Sequence, residues 1–159
     1  MTMKIVITKN VKEYREAAKM LLSTSDHVIE IGCGSGRTTK IIANRARKVL
    51  AIDKSREEIR KAEERLAEEK NVILLNEDAF NIRKILSIVR KELGRRVDVV
   101  MIDIGGIEDP AKVVDLARRY MAVFKPRLLI VKNIPLAEFI SQCIIWNQEK
   151  GKVKSWEKQ

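Results

Sequence analysis

The stretch His27-Val28-Ile29-Glu30-Ile31-Gly32-Cys33-Gly34-Ser35-Gly36 decides the fold. It opens as a strand-length apolar run and ends in three glycines at alternate positions. Such a run suits a strand covered on both faces, and the glycines let the backbone turn close to a ligand where a side chain would intrude. A helix follows from about Arg37, with Ile41, Ile42 and Ala46 on one side. The unpaired N–H groups at its start would then face whatever the turn holds.

The same alternation runs through the rest of the chain. Tyr14, Ala17, Ala18, Leu21 and Leu22 mark a helix before the first core strand; Val49 to Ile52 makes a second strand ending in Asp53. Ser55-Arg56-Glu57-Glu58 has the form of a capping box and opens a charged helix to about Glu69. Asn71 to Leu75 is the third strand, a helix carrying Ile82, Ile85, Leu86 and Val89 follows from about Phe80, and Val97 to Ile102 is the fourth. Asp109-Pro110 caps the next helix, Arg127 to Val131 is the fifth strand, and Leu136, Phe139, Ile140, Cys143 and Ile144 repeat at helical spacing behind Pro135. Strands alternating with helices predict an α/β fold: a single-domain, doubly wound, mainly parallel sheet with helices on both faces. The expected organisation is an N-terminal strand and helix over 1–26, a ligand-binding core over 27–133, and a C-terminal helix and tail over 134–159.

Composition narrows the class. The chain has 159 residues, 45% of them hydrophobic and 34% charged, which is a globular balance. No apolar run approaches the ~20 residues of a membrane span, and the expected location is cytoplasmic. Cys33 and Cys143 lack metal-type spacing and are expected as free thiols; the lone His27 opens a strand, and no metal site is expected. A formal net charge of +10 suggests a polyanionic partner such as RNA or DNA, although basic residues spread along helices also serve simply to solvate them.

In a doubly wound sheet, ligands bind beyond the carboxyl ends of the strands, so each strand end is a candidate. The first ends in Gly32, Cys33, Gly34 and Gly36, with Glu30 just before them; the second ends in Asp53-Lys54. A carboxylate at 53 accepts two hydrogen bonds from a ribose diol. The third is followed by Asp78-Ala79-Phe80, where an Asp before a helix ordinarily serves as a cap. A dinucleotide fingerprint wants its third glycine where this chain has Arg37, which argues against an NAD-dependent oxidoreductase.

The pattern E-x-G-x-G-x-G, followed by Asp53 and Asp78 at strand ends, resembles the class I S-adenosylmethionine-dependent methyltransferases over about residues 28 to 133. That resemblance implies S-adenosylmethionine as cofactor. Glu30 would help fix its amino-acid part, the Gly32–Gly36 turn would admit its backbone, Asp53 would hold the ribose, and Asp78 with Ala79 or Phe80 would take the adenine. Asp103, at the end of the fourth strand, falls where the family places residues beside the transferred methyl. Asp103 and Lys132 resemble half of the Lys-Asp-Lys-Glu set of RNA ribose methyltransferases, which implies a catalytic pair; the alternative is a structural ion pair between neighbouring strand ends. Lys132 also stands where metal-dependent relatives carry a carboxylate, and this opposes a hard cation.

The acceptor expected from charge is RNA. Non-catalytic cofactor binding, or service as a partner subunit, is the alternative. The family usually closes its sheet after the fifth strand with an antiparallel pair. Only Pro135 to Gln159 remain here, enough for a helix and one short strand around Lys152–Trp156. Either Lys4-Ile5-Val6-Ile7 replaces part of the sheet, or a homodimer or partner protein covers the strand-five edge, with Trp146 and Trp156 as interface or core residues.

Overall fold

A computed structural model describes residues 2–146 and 153–154. Six strands form one parallel sheet: β1 (Lys4–Thr8), β2 (His27–Ile31), β3 (Lys48–Asp53), β4 (Val72–Asn76), β5 (Val99–Ile102) and β6 (Leu128–Lys132). Their order is β1-β6-β5-β2-β3-β4. The connections carry α1 (Val11–Leu21), α2 (Arg37–Ala43), α3 (Arg56–Arg65), α4 (Ile82–Glu92), α5 (Pro110–Phe124) and α6 (Ile134–Ser141). From β2 the chain winds outward through β3 to β4, then crosses back to β5 and β6. The crevice at this reversal lies beyond the carboxyl ends of β2 and β5.

Strand periodicity divides the core. Ile29, Ile31, Leu50, Ile52, Val100 and Ile102 point to the face covered by Ile85 and Val89 of α4, Leu116 and Tyr120 of α5, and Leu136 of α6. Val28, Val49, Ala51, Val99 and Met101 point to the other, where Tyr14 and Ala18 of α1, Ile42 of α2 and Ile59 of α3 cover them. Both faces are dry, which is why the strands read as continuous apolar runs.

Local chemistry sets the helix starts. Asn10 Oδ1 accepts from the Glu13 amide at 2.9 Å, and Glu13 in turn accepts from the Lys9 amide at 2.8 Å. Asp109 caps α5 by accepting from the Ala111 amide. Ser55 caps α3 by accepting from the Glu58 amide at 3.3 Å, but the expected box is only half formed. The Ser55 amide donates to Asp53 Oδ1 at 2.8 Å, while Glu58 turns outward to Lys61.

Of the two covers expected for the edge of the last core strand, the first is the one formed: Lys4–Thr8 is a sixth strand, β1, which pairs in parallel with β6 from Lys4↔Leu128 to Thr8↔Lys132. The strand-five edge is therefore covered by the chain's own N-terminal segment. Thr8 reinforces the pairing by donating its hydroxyl to the Val131 carbonyl at 3.2 Å. α3 ends at Arg65 rather than near Glu69, and α6 ends at Ser141, so Cys143 and Ile144 lie beyond it. Past Ser141 the apolar residues lose their core: Ile144 and Trp146 are exposed, and Ile145–Trp146 (β7) pairs antiparallel with Val153–Lys154 (β8). Trp146 is thus not a core residue. Trp156 lies outside the described residues.

Candidate active site

Four strand ends converge on one cleft of about 340 Å³. Gly32 enters from β2, Asp53 and Lys54 from β3, the Glu77–Phe80 segment from β4, and Asp103 to Gly105 from β5. Glu108 and Lys112 close it from the start of α5.

The glycine turn is shaped by a close approach. Gly32 has φ +78°, and a Cβ there would sit 1.8 Å from the Asp103 carbonyl oxygen. Only glycine lets β2 pass β5 at this distance, so the residue that opens the turn also fixes where Asp103 stands. The turn is further tied by Asp53, whose Oδ2 accepts from the Gly34 amide and Oδ1 from the Ser55 amide, both at 2.8 Å. Asp53 lines the cleft, and each of its oxygens can accept one further hydrogen bond, which suits a diol.

Glu30, Cys33, Gly34 and Gly36 are not among the lining residues. Glu30 is buried on β2 and accepts a hydrogen bond from the Thr39 hydroxyl at 2.6 Å. Burial is the main reason its carboxyl is pushed up to about 7; Asp103 and Asp53 add to the rise, against the Thr39 bond and Arg15. Cys33 is also buried, and burial followed by Glu30 and Asp53 raises its thiol, so it is an inert packing group. Tyr14, fully buried behind the turn, makes no hydrogen bond through its hydroxyl among the described residues.

The β4–α4 segment is held in a fixed pose. Asp78 Oδ1 accepts from the Phe80 amide at 2.9 Å, and Tyr120 on α5 donates its hydroxyl to the Ala79 carbonyl at 2.8 Å. Arg119 lies over the Phe80 ring, 5.8 Å from its centroid. Asp78 is therefore a turn residue and not the cap of α4, a place taken by Asn81. Asp78, Ala79 and Phe80 together offer a carboxylate and an apolar surface, the pairing a nucleobase requires.

Asp103 and Lys132 meet at the ends of β5 and β6, with Asp103 Oδ2 2.9 Å from Lys132 Nζ and both side chains largely buried. Asn133 anchors the loop beside them. Fully buried, it donates Nδ2 to the Glu108 carbonyl at 3.0 Å and accepts from the Leu136 amide, while its own amide donates to the Thr8 carbonyl. The lining residues that the sequence reading did not single out are Ile31, Ile52, Glu77, Ile104, Gly105, Glu108 and Lys112. Glu77 directly precedes Asp78 in the sequence. Glu108 and Lys112 carried only an i,i+4 signal, and they do pair at 3.1 Å.

The cleft is rich in carboxylates: Asp53, Glu77, Asp78, Asp103 and Glu108 line it with two lysines. S-adenosylmethionine, with a sulfonium, an ammonium, a ribose diol and adenine, matches this donor and acceptor set. Asp53 would hold the diol, Asp78 to Phe80 the base, and the Gly32 turn the amino-acid backbone. No carboxylate replaces Lys132 beside Asp103 to build a hard-cation site there.

Comparison with known proteins bears on the fold and the family. The profile of the methyltransferase domain family matches residues 28–127. A curated relative, ribosomal RNA small subunit methyltransferase A of Alkaliphilus metalliredigens (strain QYMF), is 37% identical over 79 residues, which are 50% of this chain and 28% of the relative. An rRNA methylase from Streptococcus thermophilus superposes with a TM-score of 0.59 at 14% identity, over 92% of this chain and 93% of its own. A Streptococcus mutans protein solved with S-adenosylhomocysteine gives 0.59 at 16% identity, over 93% and 96%. At such identities the structural likeness establishes the fold, and the match to the family profile goes further. The chain belongs to the methyltransferase domain family, with the Rossmann-like sheet of S-adenosylmethionine-dependent enzymes.

Proposed function

We propose that the protein transfers a methyl group from S-adenosylmethionine to RNA in the cytoplasm. The observation that carries the reading is the convergence of Gly32, Asp53, Asp78–Phe80 and Asp103 from four strand ends on one cleft within the family-matched segment. RNA is favoured by the net charge of +10 and by the ribosomal RNA methyltransferase that shares half of this chain, of whose own length the match covers 28%.

Bound in the cleft, S-adenosylmethionine supplies an electrophilic methyl on a positively charged sulfur. The protein's part is positioning. Asp53 and the segment from Asp78 to Phe80 hold the nucleoside, and the Gly32 turn lets the backbone close on the amino-acid end. Asp103 orients the acceptor, and Lys132 balances its charge. When the acceptor is a hydroxyl, the proton it loses is taken up at the Asp103–Lys132 pair. The pair is then structural at rest and catalytic in use.

The test combines calorimetry with methyl transfer. Wild-type protein should bind S-adenosylhomocysteine, and with labelled S-adenosylmethionine it should label a small-subunit ribosomal RNA transcript. Asp53→Ala should weaken S-adenosylhomocysteine binding at least tenfold, and it should also cost about 2 kcal/mol of stability, because the Gly34 and Ser55 amides lose a charged acceptor. Tighter binding of NAD than of S-adenosylhomocysteine would overturn the cofactor assignment. Cofactor binding without RNA labelling would overturn the acceptor.

A further inference from the structure

The exposed charge of this protein is unevenly neutralised. α1 and α2 pack side by side on one face of the sheet, joined by Arg15 Nε donating to Thr38 Oγ1 at 3.0 Å. Residues 9 to 48 hold nine Lys and Arg but only four acids. Two of those acids are removed from the surface: Asp26 is buried against Arg127, and Glu30 is buried against Thr39. Glu13 and Glu16 alone remain outward. Among the described residues, none of Lys9, Lys12, Lys19, Arg37, Lys40 and Arg45 forms an ion pair. On α3, α4 and α5, by contrast, five of the eleven Lys and Arg, namely Lys61, Lys84, Lys91, Lys112 and Arg119, rest on a carboxylate.

Clustered cations with no counter-charge repel one another and cost stability, and a bound polyanion reverses that cost. The strip also leads to the candidate active site. Lys9 follows Thr8, whose carbonyl accepts the Asn133 amide beside the Asp103–Lys132 pair, and Arg37 directly follows the glycine turn. From there α1 runs away from the cleft for about 16 Å at helical rise, a reach on the order of four phosphates along one strand. An anionic membrane fits less well. Tyr14 and Ala18 of α1 are spent on the core, and its exposed apolar residues, Val11, Met20 and Leu21, sit at the two ends of the helix and form no continuous stripe to insert.

We infer that the α1–α2 face, from Lys9 to Arg47, is the surface on which RNA docks, with its acceptor nucleotide entering the cleft at the Asp103–Lys132 end. The inference rests on the reading of RNA as acceptor.

Two quadruple variants test it. Lys12→Gln, Lys19→Gln, Lys40→Gln and Arg45→Gln together neutralise the strip without touching the cleft. Arg83→Gln, Arg90→Gln, Arg118→Gln and Lys125→Gln remove as many exposed cations from the opposite face. Affinity for a fluorescent small-subunit ribosomal RNA transcript is read between 50 and 200 mM salt, with S-adenosylhomocysteine affinity and melting temperature as controls. The strip variant should bind RNA at least tenfold more weakly, with a slope of log K against log salt shallower by about 3. The opposite-face variant should stay within twofold, and both should keep wild-type cofactor affinity and melting. Equal weakening in the two variants, or none in the first, overturns the docking surface while leaving RNA as acceptor. Failure of the wild type to bind the transcript overturns the acceptor reading itself, and preferential loss of binding to phosphatidylserine vesicles would reassign the strip to a membrane.

Discussion

Glu30 carries two demands that pull in opposite directions. The resemblance assigns it to the ammonium end of the cofactor, which requires a carboxylate, whereas its burial favours the neutral acid and pushes it up to about 7. The unfolded chain ionises this group near 4.5 and the folded protein near 7. Between those values the folded state holds the extra proton, so stability falls as pH rises through the window and levels off above it. The loss is on the order of 3 kcal/mol. Glu30→Gln should remove this slope, so that denaturant unfolding at pH 5 and pH 8 gives nearly equal stabilities for the variant and a lower value at pH 8 for wild type. Cofactor binding should tighten through pH 7 in wild type and show no such rise in Glu30→Gln. Equal pH slopes in the two proteins would mean that Glu30 does not titrate in this range.

Among the elements, the turn between β2 and α2 was the most legible in sequence, because everything that defines it is local: an apolar run, three glycines and a following helix. Its reason for needing glycine was not legible, since Asp103 lies seventy-one residues on. That separation yields a graded prediction. Gly32→Ala places a methyl 1.8 Å from the Asp103 carbonyl in a left-handed backbone, so β2 and β5 must part. At Gly34 the φ is +51° and the nearest atom is the end of the Glu58 side chain at 3.6 Å, leaving only backbone strain. Gly34→Ala should cost about 1–2 kcal/mol, and Gly32→Ala should cost more than twice that or fail to fold, as read from chemical denaturation. Similar costs for the two would show that the close approach does not constrain the turn. Capping was read in the same local way and was half right: Ser55 is the cap, but Asp53 takes the reciprocal bond expected of Glu58. Pattern alone does not say which of two nearby carboxylates turns inward.

Whole-molecule topology was the least legible level, because strand order depends on contacts that local pattern does not encode. Five core strands could be read from their own residues, yet nothing near Lys4–Thr8 names its partner, which lies at Leu128–Lys132. Lys4–Ile7 and a second chain were alternative covers for the apolar edge of β6, and local pattern did not choose between them. β1 is the cover: it occupies that edge, seats Ile7 against one core face and Val6 against the other, and brings Thr8 to the Asn133 amide at the rim of the cleft. The N-terminal strand is therefore part of both the sheet and the candidate acceptor side. Deleting residues 2–8 should expose the β6 ladder along an apolar strand, a template for pairing with other molecules. The shortened chain should lose about 3 kcal/mol or more, a fall in Tm of at least about 6 °C, and should elute from a sizing column as larger species at concentrations where the full chain does not. An unchanged Tm and elution would mean that β1 adds nothing to the sheet. The strand-five edge would then need the partner that its apolar character first suggested.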